Sequence, residues 1–233
     1  MPLKHLFIAL LLIATGTLAL ADASSTNSFY LPYVQPLEKE IEFQRFYLDD
    51  TQNSQATKLA YAQALTDTLS LELALIGQND DDDSLDVDTT ELELLWQLTE
   101  QGEYSVDWGM MVELEHEQYD NRNELAVGLL TMKEWQQWTC ASNTYLIYEK
   151  SDTIKAEMEF ALNLQLAYRL SASFSPALEF YSGEGSRTIG PVIMGSIRLP
   201  DARRLSWSLG YFHGLNEKTT DATYRLQLEY EFF

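Results

Sequence analysis

The sequence predicts an all-β protein, an up-and-down antiparallel transmembrane β-barrel of about twelve strands, with about ten as the alternative, after a cleaved signal peptide. Three observations lead to this fold class. The N-terminal segment has the order of basic, apolar and small residues that is typical of an export signal. Beyond it, apolar residues recur at every second position over most of the chain, and aromatic residues concentrate where the predicted strands end.

The first 21 residues are predicted to be a signal peptide. Lys4 and His5 precede the apolar run 6–13, and Ala19 and Ala21 fit the small-residue rule for cleavage before Asp22. A spanning helix would need roughly 20 apolar residues, and this segment has too few. We therefore expect a signal peptide at 1–21, a periplasmic N-terminal segment at 22–36 and an outer-membrane barrel at 37–233.

Charge and cysteine content narrow the functional classes. The formal net charge of −21 argues against nucleic acid as a partner, because phosphates require a basic surface. Cys140 is the single cysteine, which excludes an internal disulfide. We expect this thiol to be a small buried or lipid-facing side chain rather than a reactive group.

Alternating polar and apolar residues predict the strands. The clearest example is 224–232, where the residues of one face are apolar or aromatic and Arg225, Gln227, Glu229 and Glu231 occupy the other. Such a pattern would wrap an apolar face around the whole of a helix. Similar segments lie at 69–75, 92–98, 104–114, 125–129, 158–168 and 205–211, with weaker ones at 37–48, 55–65, 138–149, 174–182 and 189–199.

The connectors and the aromatic residues predict an orientation. Short turns are predicted to alternate with longer polar loops at 79–88, 116–123 and 214–221, which is typical of barrels with both termini in the periplasm. Aromatic belts mark the two headgroup levels of a membrane. On this topology the belt at the periplasmic ends comprises Trp96, Tyr104, Trp138, Tyr168, Phe174, Trp207, Tyr230 and Phe232. Tyr47, Tyr148, Tyr211 and Tyr224 fall near the other end.

The C-terminus carries a resemblance to a known class. The ending Leu226, Leu228, Tyr230, Phe232, Phe233 resembles the final-strand targeting signal of bacterial outer-membrane proteins. The segments 36–40 and 176–181 are similar to those of small uncharacterised proteobacterial barrel proteins. The resemblance implies a porin-like Gram-negative barrel that the barrel assembly machinery recognises through its last strand. Outer-membrane lipid and lipopolysaccharide would then surround it. The resemblance lends no activity, and we expect the barrel to be a monomer.

If the apolar face meets lipid, the other face lines the lumen and is acidic. The predicted lumen residues are Glu40, Glu42, Glu72, Glu91, Glu93, Asp107, Glu113, Glu157, Glu159, Glu179, Glu229 and Glu231, with Lys58, Arg198 and Arg225 as the inward bases. Rings of carboxylates attract cations, so a small cation-preferring channel is one interpretation. The other is a plugged structural barrel, because about twelve strands enclose a lumen that side chains can fill. A soluble periplasmic β-sandwich or lipocalin-like binding protein is the alternative class.

Enzymatic and metal functions are not expected. His116 is placed in a loop, and His213 lies on the opposite face of its strand from Ser206 and Ser208, so no nucleophile and base come together. The aspartate run 80–83 lacks the glycine and the bidentate glutamate of a calcium loop and is predicted to be solvated. No histidine or cysteine spacing typical of a metal site occurs, and no cofactor is predicted.

Overall fold

The computed structural model describes residues 29–49, 54–79, 85–153, 155–183 and 185–233. The predicted signal peptide at 1–21 and the aspartate run at 80–83 lie outside these ranges. In the described part of the chain, no helix has the length and apolar character needed to cross a membrane.

Twelve antiparallel strands form one closed barrel, which confirms the predicted fold class with twelve strands rather than ten. Each strand pairs with its neighbour in sequence, and β1 pairs with β12 to close the ring. The strands are β1 Lys39–Leu48, β2 Gln55–Ala64, β3 Leu69–Asn79, β4 Leu85–Gln97, β5 Asp107–Glu117, β6 Arg122–Trp135, β7 Trp138–Lys150, β8 Glu157–Tyr168, β9 Ser175–Gly183, β10 Ser186–Arg198, β11 Arg204–Gly214 and β12 Ala222–Phe232. This arrangement is a single barrel and not a two-layer sandwich.

The polar and apolar residues that alternate in the sequence point alternately to the inside and the outside of the barrel. In β7, Asn143 points inward and is fully buried, whereas the outward Leu146 is 50% exposed. Leu73, Phe160 and Leu178 are exposed in the same way on other strands. A surface of this composition is unfavourable in water and suits the hydrocarbon of a membrane.

We call the end of the barrel where β1 begins and β12 ends the terminal rim, and the other end the opposite rim. The predicted difference in loop length between them is wrong. Strands β5 and β6 continue through His116 and Asn123, which leaves only 118–121 as a connector at the opposite rim. The connector 98–106, at the terminal rim, is longer than any at the opposite rim. Loop length therefore gives no orientation.

Pro191 lies within β10, where a ladder hydrogen bond cannot form. Its neighbour Gly190 approaches β11 so closely that a side chain there would collide with the backbone of Tyr211. Pairing with β11 accordingly omits Gly190 and Pro191, while both residues keep their partners on β9. The strand therefore continues past the proline, which points outward.

Candidate functional site

The lumen is the candidate site, and the inward faces of the strands supply it. Most of the predicted lumen residues are buried inside the barrel: Glu42, Lys58, Glu72, Glu91, Glu93, Asp107, Glu113, Glu179, Arg225 and Glu231. Glu40, Glu159 and Glu229 are half-buried, and Glu157 and Arg198 are exposed at the strand ends. Alternation alone predicts the face, but it does not predict which of these groups are neighbours.

Five consecutive strands place a glutamate directly opposite a glutamate. This carboxylate row comprises Glu91, Glu115, Glu124, Glu149 and Glu157, on β4 to β8. Because the strands tilt in a barrel, the row runs obliquely from the middle of β4 to the opposite rim. Like charges directly opposite are destabilising, so the row is costly as a purely structural feature. One base, Arg122, contacts Glu115 at 3.6 Å at this end.

A second group of carboxylates occupies the half of the lumen toward the terminal rim. Glu93 is opposite Glu72 on one side and Glu113 on the other. Across the closure of the barrel, Glu42 faces Glu229 and Glu40 faces Glu231. Carboxylate oxygens of Glu91, Glu113 and Glu115 lie within 4.8 Å of one another, and so do those of Glu72, Glu91 and Glu93. The second group is therefore continuous with the carboxylate row through Glu91.

Two bases partly neutralise this group. The Lys58 ammonium lies 2.8 Å from Glu91 and 3.0 Å from Glu72, and all three side chains are buried. At the terminal rim the Arg204 Nε donates to Glu231 at 2.7 Å, and its guanidinium lies 3.9 Å from Glu38. Gln227 donates to Glu42 at 2.9 Å and also to Glu229.

The wall formed by β9 to β11, together with Arg225 of β12, is packed rather than acidic. Arg225 forms an ion pair of 2.8 Å with Glu179, and both side chains are 1% exposed. The Arg225 guanidinium also lies 5.0 Å from the ring of Phe212, and Tyr181 donates to Glu179 at 2.7 Å. A second apolar cluster, formed by Leu95, Met111, Leu130 and Ile147 with the N-terminal residue Val34, covers part of β4 to β7. The acidic lining is thus confined to part of the circumference.

Residues 29–37, which we call the N-terminal strap, fold into the lumen at the terminal rim. The Tyr33 hydroxyl donates to Asp107 at 2.6 Å, and the Val34 backbone N–H donates to the side chain of Gln97 at 2.7 Å. Pro32 is fully buried, and a Cβ on Gly109 would lie 2.9 Å from it. The glycine is therefore what permits the strap to lie so close to β5. Asp107, predicted as a lumen carboxylate, holds the strap.

A cavity of about 710 Å³ lies between the strap and the barrel wall. Its charged lining is eight glutamates and one arginine: Glu38, Glu40, Glu42, Glu72, Glu93, Glu134, Glu229, Glu231 and Arg204. Phe29, Tyr30 and Tyr33 of the strap add aromatic surface. The cavity therefore has strongly negative walls and one side made of the strap.

Two groups that precede β1 have shifted pKa values. Burial, followed by a hydrogen bond with Glu231 and the charge of that carboxylate, raises the pKa of Glu38 to about 8. Burial, followed by the hydrogen bond to Asp107, raises the pKa of Tyr33. Tyr33 thus remains a protonated donor, and Glu38 keeps its proton at neutral pH.

The outer surface carries the aromatic belt at the terminal rim. Predicted members that lie near this rim include Trp96, Tyr104, Trp138, Tyr168, Trp207, Tyr230 and Phe232. The rings of Trp138 and Tyr168 are in edge contact, with their centroids 4.8 Å apart. Trp108 and Trp135, which the prediction left out, also lie there and are exposed. All five tryptophans of the chain are therefore at one rim. Tyr47, Tyr148, Tyr211 and Tyr224 are exposed toward the opposite rim.

The two histidines in the described part of the chain contact backbone or amide groups. A ring nitrogen of His116 lies 3.0 Å from the side-chain oxygen of Asn123, and one of His213 lies 3.0 Å from the carbonyl of Asp221. Ser206 donates to Glu231 and Ser208 to Gln227, inside the barrel. Histidine and serine thus have separate partners on opposite faces of β11.

Prediction from sequence missed Glu38, Glu115, Glu124 and Glu149 of the lumen and the whole strap. Strand alternation extended past residue 114 would have placed Glu115 on the inner face. The strap carries no periodic pattern, and its only sequence signal is the aromatic and proline content of 29–36.

Comparison with solved structures finds outer-membrane β-barrels. The KdgM porin in complex with disordered oligogalacturonate is 10% identical, with a TM-score of 0.55 over 83% of this chain and 98% of that chain. The NanC porin is 7% identical, with a TM-score of 0.57 over 83% and 99%. The COG4313 outer membrane channel from Pseudomonas putida F1 is 15% identical, with a TM-score of 0.57 over 91% and 98%.

At these identities the likeness concerns the fold, which is the closed barrel of outer-membrane porins. No protein-family model and no curated protein matches the sequence. The resemblance of 36–40 and 176–181 to a particular family of small barrels therefore stays a prediction.

Proposed function

We propose that this chain is a monomeric outer-membrane barrel that conducts small cations, with both termini in the periplasm. The observation that carries the proposal is the continuous acidic lining, from the cavity behind the N-terminal strap, through Glu72, Glu93 and Glu91, to the carboxylate row at the opposite rim. Carboxylates that line a pore attract cations and repel anions.

The cost of this lining favours a functional role. Withdrawing a carboxylate from water costs several kcal/mol before any pairing, and facing carboxylates add repulsion. A barrel that only needed a filled interior could use neutral polar or apolar side chains, as the wall around Tyr181, Val192 and Phe212 does. Water and mobile cations beside the acidic wall would offset the cost.

The strap and the packed wall favour a narrow path that is restricted at the terminal rim. Tyr33 and Val34 are held by hydrogen bonds, and Pro32 is packed against Gly109. We infer that the strap covers part of the periplasmic mouth and limits the conductance. A structural barrel without conductance is the second candidate, and the same packing supports it.

The aromatic residues mark the two membrane interfaces, and the proposed orientation rests on the C-terminal strand. Tryptophan favours the membrane interface, and all five tryptophans lie at the terminal rim. The C-terminal strand ends on aromatic residues at the same rim, which suits recognition from the periplasm by the assembly machinery. Protease added outside intact cells is expected to cut the connector 215–221 at the opposite rim and to spare the connector 98–106. Cleavage at 98–106 alone would reverse the proposed orientation.

The test of conduction is the reversal potential of the purified protein in a planar bilayer under a potassium chloride gradient. Wild-type protein is expected to prefer potassium over chloride. The variant E229Q/E149Q removes one carboxylate at each end of the lining and is expected to lower that preference. E217Q, in the connector 215–221, is the matched control and should leave it unchanged. Chloride preference, or no conductance at any voltage, would refute the channel and leave the structural barrel.

An enzymatic role is not proposed. His213 points outward from β11 and Ser208 points inward, so the pair cannot act on one substrate. Absence of esterase activity toward detergent-dispersed phospholipid remains a prediction.

A further inference from the structure

We infer that Glu72, Glu91 and Glu93 form a binding site for one hard divalent cation inside the barrel. The inference deepens the proposed function, since it uses the same acidic lining, but it does not require that ions pass through.

The three carboxylates converge because of strand register. Glu72 on β3 is paired directly with Glu93 on β4, and Glu91 lies two residues before Glu93 on the same face. One oxygen from each lies within 4.8 Å of the other two, and all three residues are buried. Oxygens at this separation can ligate one ion with small side-chain movements, because calcium binds oxygen ligands at about 2.3–2.6 Å.

One carboxylate oxygen of Glu93 lacks a hydrogen-bond partner, whose place a bound ion could take. Its side chain is 4% exposed, and its Oε2 is buried with no hydrogen-bond partner. Its neighbours across the sheet are Glu72 and Glu113, which repel it. A buried, unpaired carboxylate is costly unless it is paired or coordinates a metal. The unpartnered oxygen belongs to the group whose oxygens converge with those of Glu72 and Glu91.

Lys58 sets the charge that the ion must balance. Its ammonium binds Glu72 and Glu91 and lies 3.3 Å from the Tyr30 hydroxyl. As metal ligands, three carboxylates with one ammonium beside them carry a net charge of two negatives, which one divalent cation neutralises. A monovalent ion would leave one charge buried.

The carboxylate ligands and the adjoining cavity favour a hard, hydrated cation. All three ligands are carboxylates, and the cluster holds neither histidine nor cysteine, so hard ions such as calcium, magnesium or manganese fit better than zinc. Glu72 and Glu93 line the cavity of about 710 Å³, which gives an ion access and room for water ligands.

The test uses manganese(II) as the probe, with the full chain purified in detergent. Binding removes the sharp electron paramagnetic resonance signal of the free ion, so the titration counts sites. One site is expected for the wild type. E93Q removes the ligand that has no other partner and is expected to weaken binding at least about 10-fold, as loss of even a supporting group does in metal sites. E217Q, an exposed position in the connector 215–221, should bind like the wild type.

Lys58→Met gives a second measurement. It releases Glu72 and Glu91 and leaves three negative charges, so binding is expected to tighten. Heat-modifiable gel migration of each variant checks that the barrel has folded. Absence of manganese binding by the wild type, or unchanged binding by folded E93Q, would overturn the site. Binding by K58M alone would also overturn it, because Lys58 would then be the cation of the cluster.

These outcomes are separate from those for the channel. A protein that binds manganese but does not conduct retains the site and loses the proposed function. A protein that conducts cations but binds no manganese loses the site alone.

Discussion

The buried ion pair of Arg225 and Glu179 permits a quantitative prediction about stability. Each side chain is 1% exposed, and the pair is 2.8 Å apart within the packed wall. Arg225→Met keeps an apolar stem of similar length but leaves Glu179 buried without its cation. It also removes the hydrogen bond of 2.7 Å from Arg225 to the Tyr181 hydroxyl. Removing one partner of a buried pair costs about 3–5 kcal/mol.

The remaining partners of Glu179 place the expected loss at the lower end of this range. Gln165 still donates to Glu179 at 2.8 Å and Tyr181 at 2.7 Å, so the carboxylate keeps two of its three donors. We therefore expect the free energy of unfolding to fall by about 3 kcal/mol, or roughly 100-fold in the folding equilibrium. In the double variant R225M/E179Q neither position carries a buried charge, so most of the lost free energy of unfolding should be recovered.

The assay is urea unfolding of the barrel in lipid vesicles, followed by tryptophan fluorescence and by heat-modifiable gel migration. Arg169→Met is the matched control, because its ion pair with Glu134 is 3.1 Å long but the arginine side chain is 54% exposed. An exposed pair contributes about 0–1 kcal/mol. Equal losses in R225M and R169M, or no recovery in the double variant, would refute the reasoning.

Three further predictions concern the rim, the strap and the outer face. The pKa of Glu38 is about 8 in the folded barrel against an ordinary value of 4.5, so its contribution to stability is lost as pH rises from about 4.5 to about 8. The free energy of unfolding of E38Q should therefore fall less over that interval than that of the wild type, and parallel profiles would contradict the shift. Gly109→Val would push its side chain into Pro32 and is expected to displace the strap, raising single-channel conductance and proteolysis near the N-terminus. Unchanged conductance with a cleaved strap would show that the strap does not restrict the path. Cys140 is exposed on the outer face of β7, so in vesicles it should react with a membrane-permeant maleimide and hardly with a charged one. Equal rates with both reagents would contradict its lipid-facing position.

The strands and their faces could be predicted from sequence because alternation is a local property. Leu226 and Glu229 lie on opposite faces whatever their partners, so the acidic lumen and the apolar exterior followed from the pattern. The orientation signal from loop length failed for a local reason. Residues such as His116 and Asn123 are polar at the rim, where polarity does not distinguish a strand end from a loop.

The arrangement within the lumen could not be predicted in the same way. Glu91 and Glu157 are far apart in sequence and become members of one row only through four successive strand registers. Each register depends on the turn between two strands and on the stagger with which the barrel closes. Glu93 thus stands out as an unpartnered carboxylate only once its neighbours are known.

The sequence by itself determined that the chain forms a barrel, which side chains face inward, and that the interior is acidic. It did so because strand geometry assigns every second residue to the same face. Only the tertiary structure decided that Lys58 neutralises Glu72 and Glu91, that Arg225 closes one wall with Glu179, and that the strap enters the lumen beside Gly109. These contacts join residues whose proximity arises from barrel closure, which no short stretch of sequence encodes.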